Sequence, residues 1–172
     1  MISLCSYNCG MHDNGPGPPA ALMERLSFLL KHASALLEHA IEPGLARLGI
    51  SGREFAVLTL IDSEGPASQQ RLAGRIGVDR TTMVALIDAL EEKRLVSRRR
   101  DPSDRRAYVL EATPAGRKTL RDALKAVKLG EQQALASLAS TESAALKQAL
   151  QRLVQAQPPA TPVRRQLPRS PR

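Results

Sequence analysis

Residues 95–111 read Leu95-Val96-Ser97-Arg98-Arg99-Arg100-Asp101-Pro102-Ser103-Asp104-Arg105-Arg106-Ala107-Tyr108-Val109-Leu110-Glu111, and they decide the fold. Leu95–Arg99 and Ala107–Glu111 are short strand-like runs on either side of Asp101-Pro102-Ser103-Asp104, a turn sequence flanked by arginines. A β-hairpin with a charged tip, a wing, is expected. On its downstream side Thr113-Pro114 offers an N-cap followed by proline in the first helical position, the start of a long helix to about residue 139. On its upstream side Asp79 caps a helix whose Met83, Leu86, Ile87 and Leu90 face inward, and Ser68 caps a shorter one with Leu72, Ala73 and Ile76 that stops at Gly77. Two helices joined by a tight turn at Gly77-Val78 form a helix-turn-helix.

Further upstream, Ser51 and Glu54 have the spacing of a capping box, opening a helix through Phe55, Leu58 and Ile61 that Gly65-Pro66 closes. Residues 20–42 place Leu22, Leu26, Leu29, Ala33, Leu36 and Ala40 on one stripe, and Thr141 is read as the cap of a last helix carrying Leu146, Leu150, Leu153 and Val154. The fold class expected is mainly α with a small β-wing. Its parts are a flexible leader (1–19), a dimerisation helix (20–50), a winged helix-turn-helix lobe (51–112), dimerisation helices (113–156) and a disordered basic tail (157–172). The terminal stripes exceed what one small lobe can cover, so the long helices are expected to intertwine with those of a second subunit.

Composition agrees with this order of elements. Leu (25) and Ala (24) supply 49 of 172 residues, a helical composition, whereas aromatics are only 2% and Trp is absent. That scarcity argues against RNA-binding sheets and single-strand grooves, which stack bases on rings. The net charge of +8 is two local surpluses of four: residues 71–106 hold ten basic and six acidic groups, and residues 158–172 hold four arginines and no acid. Such placement suits a polyanionic partner. No apolar run approaches the ~18 residues of a membrane span and no signal peptide is evident, which points to a soluble cytoplasmic protein with no membrane partner. Met11 and Met23 leave a downstream natural start open.

Taken together, Ser51 to Ile61, Ser68-Gln69-Gln70-Arg71-Leu72-Ala73, Val78-Asp79-Arg80-Thr81-Thr82-Met83, Leu95-Val96 and the wing Asp101-Pro102-Ser103-Asp104-Arg105-Arg106 followed by Thr113-Pro114-Ala115-Gly116 resemble the MarR family of bacterial transcriptional regulators. The resemblance covers residues 20–155. It implies a homodimer with interlocked terminal helices, a pseudo-palindromic double-stranded DNA operator, and a small molecule or oxidant that weakens DNA binding; the function expected is repression released by a small-molecule effector of unknown identity. Two positions depart from the family pattern. Arg94 stands where glycine is common at the end of the recognition helix, which requires a left-handed or distorted exit. Ala85 replaces an arginine common on the recognition helix, so no bidentate guanine contact comes from there.

With Met83, Leu86, Ile87 and Leu90 buried, a 100° step places Thr81, Val84, Ala85 and Asp88 opposite. Thr81, Thr82, Val84 and Ala85 are the expected base-facing residues, while Asp88 repels phosphate and is expected to sit clear of it. Gln69, Gln70, Arg71, Arg75, Arg80, Arg98 and Arg99 suit the DNA backbone, joined by Arg100, and Thr82 also lies within reach of phosphate. By the resemblance, Arg105 and Arg106 are the wing's tip arginines, one of which enters the minor groove, and Asp104 braces the tip arginine; otherwise Asp101, Asp104 and Arg106 only pair to stiffen the hairpin.

Phe28, His32 and His39 on the first helix are candidates for an effector pocket. Seven residues apart with no third ligand, the two histidines do not make a metal site, and neither metal nor cofactor is expected. Cys5 and Cys9 lie in the leader with no neighbouring cation to lower a thiol pKa, so redox sensing is the lesser reading. Glu131 either marks where the long helix leaves its partner for water or pairs across the dimer. No catalytic set is present, so an enzyme is not expected. The competing function is a low-specificity architectural, nucleoid-type DNA-binding protein, and the arginine tail is either a phosphate-binding arm or a solvated end.

Overall fold

The computed structural model of the chain describes residues 17–65, Leu72, Arg75, 78–100 and 108–156. They divide into two compact units, one ending at Ala35 and the other beginning at Leu36. In chain order the elements are α1 (Ala20–Met23), α2 (Leu26–Ala46), α3 (Gly52–Glu64), α4 (Arg80–Glu92), β1 (Val96–Arg100), β2 (Tyr108–Ala112), α5 (Pro114–Ala134) and α6 (Ser140–Gln155). The short helix expected after Ser68 falls outside the described residues, except for the fully buried Leu72 and the exposed Arg75. No helix among the described residues is long and apolar enough to cross a membrane.

The helix expected over 20–42 is interrupted, because the Arg25 N–H bonds back only three residues, to the Leu22 carbonyl at 3.0 Å. Its continuation then passes Pro43 and ends at Ala46. Proline removes one helical hydrogen bond, and so close to the C-terminus the loss is confined to a single turn. That turn packs tightly, since Gly44 faces Ala126 of α5 so closely that an added Cβ would lie 2.9 Å from the Ala126 methyl.

The core of the second unit follows the helical period. Val57, Leu58 and Ile61 of α3, Met83, Ile87 and Leu90 of α4, and Leu120 and Ala123 of α5 converge with Leu45, Ile50, Leu72, Leu95, Val96 and Leu110. Each such Leu, Ile or Met contributes roughly 1.5–3 kcal/mol by leaving water. Leu86 is only half-buried, because it faces a cavity described below. Along α5, Gly116, Leu120, Ala123 and Gly130 are buried, whereas Leu124 is 49% exposed on another face and Glu131 is exposed. The long helix also stops at Ala134, earlier than expected. The last helix starts after Ala139, not at Thr141. The Glu142 carboxylate makes that start possible by accepting from the Ala139 N–H at 2.7 Å, so no side-chain cap at Thr141 is needed.

Three helix starts are capped as the sequence indicates. Ser51 Oγ accepts from the Glu54 N–H (3.3 Å) while Glu54 Oε2 accepts from the Ser51 N–H (2.8 Å). Asp79 Oδ1 accepts from the Thr82 N–H (2.9 Å), and Thr113 Oγ1 accepts from the Gly116 N–H (2.9 Å).

Helix ends α2 and α4 share one geometry. The Ile50 N–H bonds the Leu45 carbonyl (3.2 Å) and the Leu95 N–H bonds the Leu90 carbonyl (2.9 Å), each across a residue of positive φ. That residue is Gly49 (φ 71°) in the first case and Arg94 (φ 57°) in the second, so the left-handed exit expected at Arg94 is present without glycine. Arg94 then presents its carbonyl, and Leu95 its own, to the start of α5. The Thr113 hydroxyl donates to the Arg94 carbonyl (2.8 Å), its N–H donates to the Leu95 carbonyl (3.0 Å), and a Cβ on Gly116 would lie inside that Leu95 carbonyl.

Two stability changes follow. Gly116→Ala must push α5 off Leu95 and is expected to destabilise by about 3 kcal/mol, the upper range for overpacking. Arg94→Gly relieves the left-handed strain and is expected to stabilise by about 0.5–1 kcal/mol. Urea unfolding followed by circular dichroism measures both, and unchanged midpoints would refute the junction.

Candidate nucleic-acid interface

Helix α4 turns Thr81, Ala85 and Asp88 to solvent, a stripe at i, i+4 and i+7, while Thr82 and Val84 are half-buried. Thr82 is also engaged locally, its hydroxyl donating to Asp79 Oδ2 at 2.6 Å. These hydrogen bonds, from the Thr82 hydroxyl and then its N–H, hold the Asp79 carboxyl below the usual range and keep it an anionic cap. Arg80 is exposed in the first turn of the same helix. Arg75 is two-thirds exposed and its Nε donates to Glu64 Oε1 at 2.6 Å.

The hairpin pairs Val96 with Ala112, Arg98 with Leu110 and Arg100 with Tyr108. Antiparallel alternation puts these six residues on one face. Along it the hairpin leaves the core by degrees: Val96, Ala112 and Leu110 are buried, Arg98 is clamped by acids of α4, and the Arg100 guanidinium lies 5.8 Å from the centre of the Tyr108 ring. Arg98 Nη2 is 2.6 Å from Asp88 and its Nη1 3.1 Å from Glu91. On the opposite face Arg99 pairs with Glu111 at 2.8 Å. Arg98 and Arg99, expected at the DNA backbone, are thus each engaged within the lobe. Gln69, Gln70, Arg71, Asp104, Arg105 and Arg106 lie outside the described residues.

A cavity of about 840 Å³ lies in the second unit between α2, α3, α4 and α5. Ile41, Leu45, Ile50, Phe55, Val78, Leu86 and Val127 give it apolar walls, and Glu38, Glu42, Arg53, Glu54 and Lys93 charged ones. Glu54 is the buried one, with 7% of its side chain exposed, and Lys93 Nζ reaches its Oε1 at 2.6 Å. Burial alone would raise its pKa, but hydrogen bonds from Lys93, from the Ser51 N–H and from the Ser51 hydroxyl, with the Lys93 charge, outweigh it and lower the value.

The residues expected to line an effector pocket are not in this wall. His39 is exposed on α2, about 100° round from Glu38, and does not line the cavity. Phe28 and His32 belong to the first unit and satisfy each other: their rings stack at 3.9 Å, and His32 Nδ1 lies 3.1 Å from the Phe28 carbonyl. Sequence reading missed Lys93, hidden in the charged run Glu91-Glu92-Lys93-Arg94, and Arg53 and Phe55, which look like ordinary surface and core positions of α3. The capping box did single out Glu54, though only as a cap. Among the described residues no three His, Cys, Asp or Glu come together to hold a metal.

A capped helix with a small, polar outer stripe, an antiparallel hairpin behind it and long helices at either end define the winged-helix class of DNA-binding proteins. The MarR family model matches residues 50–108. The transcriptional repressor CouR bound to a 23-mer DNA duplex is 31% identical and superimposes with a TM-score of 0.74, covering 81% of this chain and 99% of that one. CouR from Rhodococcus jostii RHA1 bound to p-coumaroyl-CoA is 29% identical, with a TM-score of 0.68 over 81% of this chain and 98% of that one. A transcriptional regulatory protein for the hcr operon of Thauera aromatica is 35% identical over 61% of this chain, and the chain spans 63% of that relative's length. This chain belongs to the MarR family of transcriptional regulators.

The Glu54 pair sets a pH expectation. A carboxyl whose folded pKa is lowered adds stability above its unfolded value of about 4.3, and that stability is lost as pH falls through the lower folded value. Glu54→Gln is expected to destabilise by about 1–3 kcal/mol at neutral pH, by leaving Lys93 and Ser51 with a poorer acceptor. The variant's deficit should shrink below pH 4; a constant deficit between pH 7 and pH 3 would contradict the ionised pair.

Proposed function

We propose that the protein is a homodimeric, sequence-specific repressor of transcription in the cytoplasm. Two copies bind a pseudo-palindromic double-stranded operator and release it when a small molecule occupies the cavity. The observation that carries this reading is the likeness to CouR on its DNA duplex, which extends over nearly the whole of that chain. The second CouR structure, with p-coumaroyl-CoA, supports an effector. For this chain the cavity bounded by α2, α3, α4 and α5 is the place proposed for it, with no ligand identity assigned.

In this reading Thr81, Thr82, Val84 and Ala85 face bases in the major groove. Arg75 and Arg80, with Gln69, Gln70 and Arg71 on the preceding segment, hold phosphates, and Asp104, Arg105 and Arg106 bring the wing to the minor groove. Dimerisation is supported by apolar side chains left in water on the terminal helices, among them Leu129 (60% exposed), Leu153 (52%) and Val154 (73%). A second copy is the partner that buries them at no loss of symmetry.

Light scattering is expected to give twice the 18.6 kDa chain mass. In fluorescence anisotropy, an inverted repeat with half-sites ~34 Å apart should bind at least ~10³-fold tighter than random duplex. Equal affinity for the two duplexes would favour the architectural alternative. Thr81→Ala removes one hydrogen bond per half-site, about 1 kcal/mol each, or roughly 30-fold for the dimer.

A further inference from the structure

We propose that Arg98 is a positioning residue for DNA recognition, a strut that sets the wing against the recognition helix, and that it does not itself bind phosphate. The assignment rests on the operator reading above. Asp88 and Glu91 stand one turn apart on α4, and one guanidinium bridges both, Nη2 to Asp88 and Nη1 to Glu91. A planar fork suits that task and a point charge does not. The stem of Arg98 issues from the core-facing side of the hairpin, opposite the buried Leu110, so the rung at the edge of the core is tied to the helix that reads bases.

Two consequences follow from the same geometry. The tie fixes the angle at which β1 and β2 leave α4. It also cancels charge where it matters, because Asp88 shares the solvent-facing stripe with Thr81 and Ala85 and its side chain is 55% exposed. An uncompensated carboxylate there would repel phosphate; with Arg98 attached, the face that approaches DNA carries one negative charge fewer. Arg98 is only 35% exposed and already holds two acids, an arrangement that sets it apart from the exposed Arg80.

The test measures affinity for the inverted repeat as a function of salt, with circular dichroism confirming that each variant is folded. Arg98→Gln is expected to weaken binding about tenfold while leaving the slope of log K against log salt unchanged. A phosphate ligand would instead make the slope shallower by about 0.9 per contact, or about 1.8 for the dimer. Arg98→Lys keeps the charge and loses the fork, so it should recover the charge compensation alone and still bind severalfold more weakly than wild type; near-wild-type binding by the lysine variant would overturn the strut. In an Asp88→Asn, Glu91→Gln background, adding Arg98→Gln should cost less than twofold, whereas an undiminished tenfold loss would also overturn it. Wild-type protein with no preference for the inverted repeat defeats the operator reading itself. Preference in the wild type combined with a shallower slope in Arg98→Gln defeats only the role given to Arg98.

Discussion

The architecture of the second unit turns on one backbone carbonyl. Leu95 leaves α4 through the left-handed Arg94, bonds back to the Leu90 carbonyl, and points its own carbonyl at the first turn of α5. There Thr113 donates its N–H to it, and Gly116 offers no Cβ to obstruct it. Three elements are thereby fixed at one point: the end of α4, the start of the wing and the start of the long helix that packs on α2 through Gly130. The Thr-Pro-Ala-Gly run carries the family resemblance for this reason. Thr113 and Gly116 answer hydrogen-bonding and steric demands made by Leu95, Pro114 suits the first helical position, and a bulkier residue at 116 would separate α4 and the hairpin from α5.

A second link runs through the cavity. Glu54 closes the capping box that starts α3 and also receives Lys93, the residue at the C-cap of α4. A single buried carboxylate therefore joins the cavity wall to the end of the recognition helix, next to the Arg94 exit. Buried pairs of this kind are costly to break and add little when intact. Their value lies in specifying one arrangement, and here the arrangement specified is the distance between α3 and the end of α4.

Much of the fold could be read from residue order because the decisive signals are local. Caps at Ser51, Asp79 and Thr113, the stop at Gly65 and the change of period after Arg94 depend on neighbours within four residues, and the structure places each where those neighbours require. The failures are non-local. The stripe read over residues 20–42 stops short of Pro43, yet α2 continues to Ala46, where Gly44 packs on Ala126, more than eighty positions away in sequence. Leu124 lies one turn beyond Leu120 on α5, yet Leu120 is buried and Leu124 is 49% exposed, because α5 has two faces and only one is covered among the described residues. The basic run Arg98-Arg99-Arg100 reads as one cationic surface; strand alternation sends Arg98 and Arg99 to opposite faces, Arg98 to Asp88 and Glu91 and Arg99 to Glu111. The pocket residues were least legible, since a cavity belongs to no single element. Helix α2 contributes Glu38 and Ile41 to its wall while turning His39 to solvent.

The outer face of α4 limits how recognition can work. Thr81 and Ala85 are short and exposed; if they meet base edges as proposed, small side chains bring the helix axis closer while supplying few directional contacts. Under the operator reading, specificity must then be shared with terms that do not need long side chains, namely the deformability of the duplex between half-sites and the fit of the wing. Both depend on rigid placement: an angular error at the hairpin base grows with distance toward its tip, and a shape-reading protein has little side-chain freedom with which to correct it. A lobe whose recognition helix ends in a Schellman turn locked on α5, and whose wing is tied to that same helix through Arg98, supplies the stiffness such a mode of reading requires.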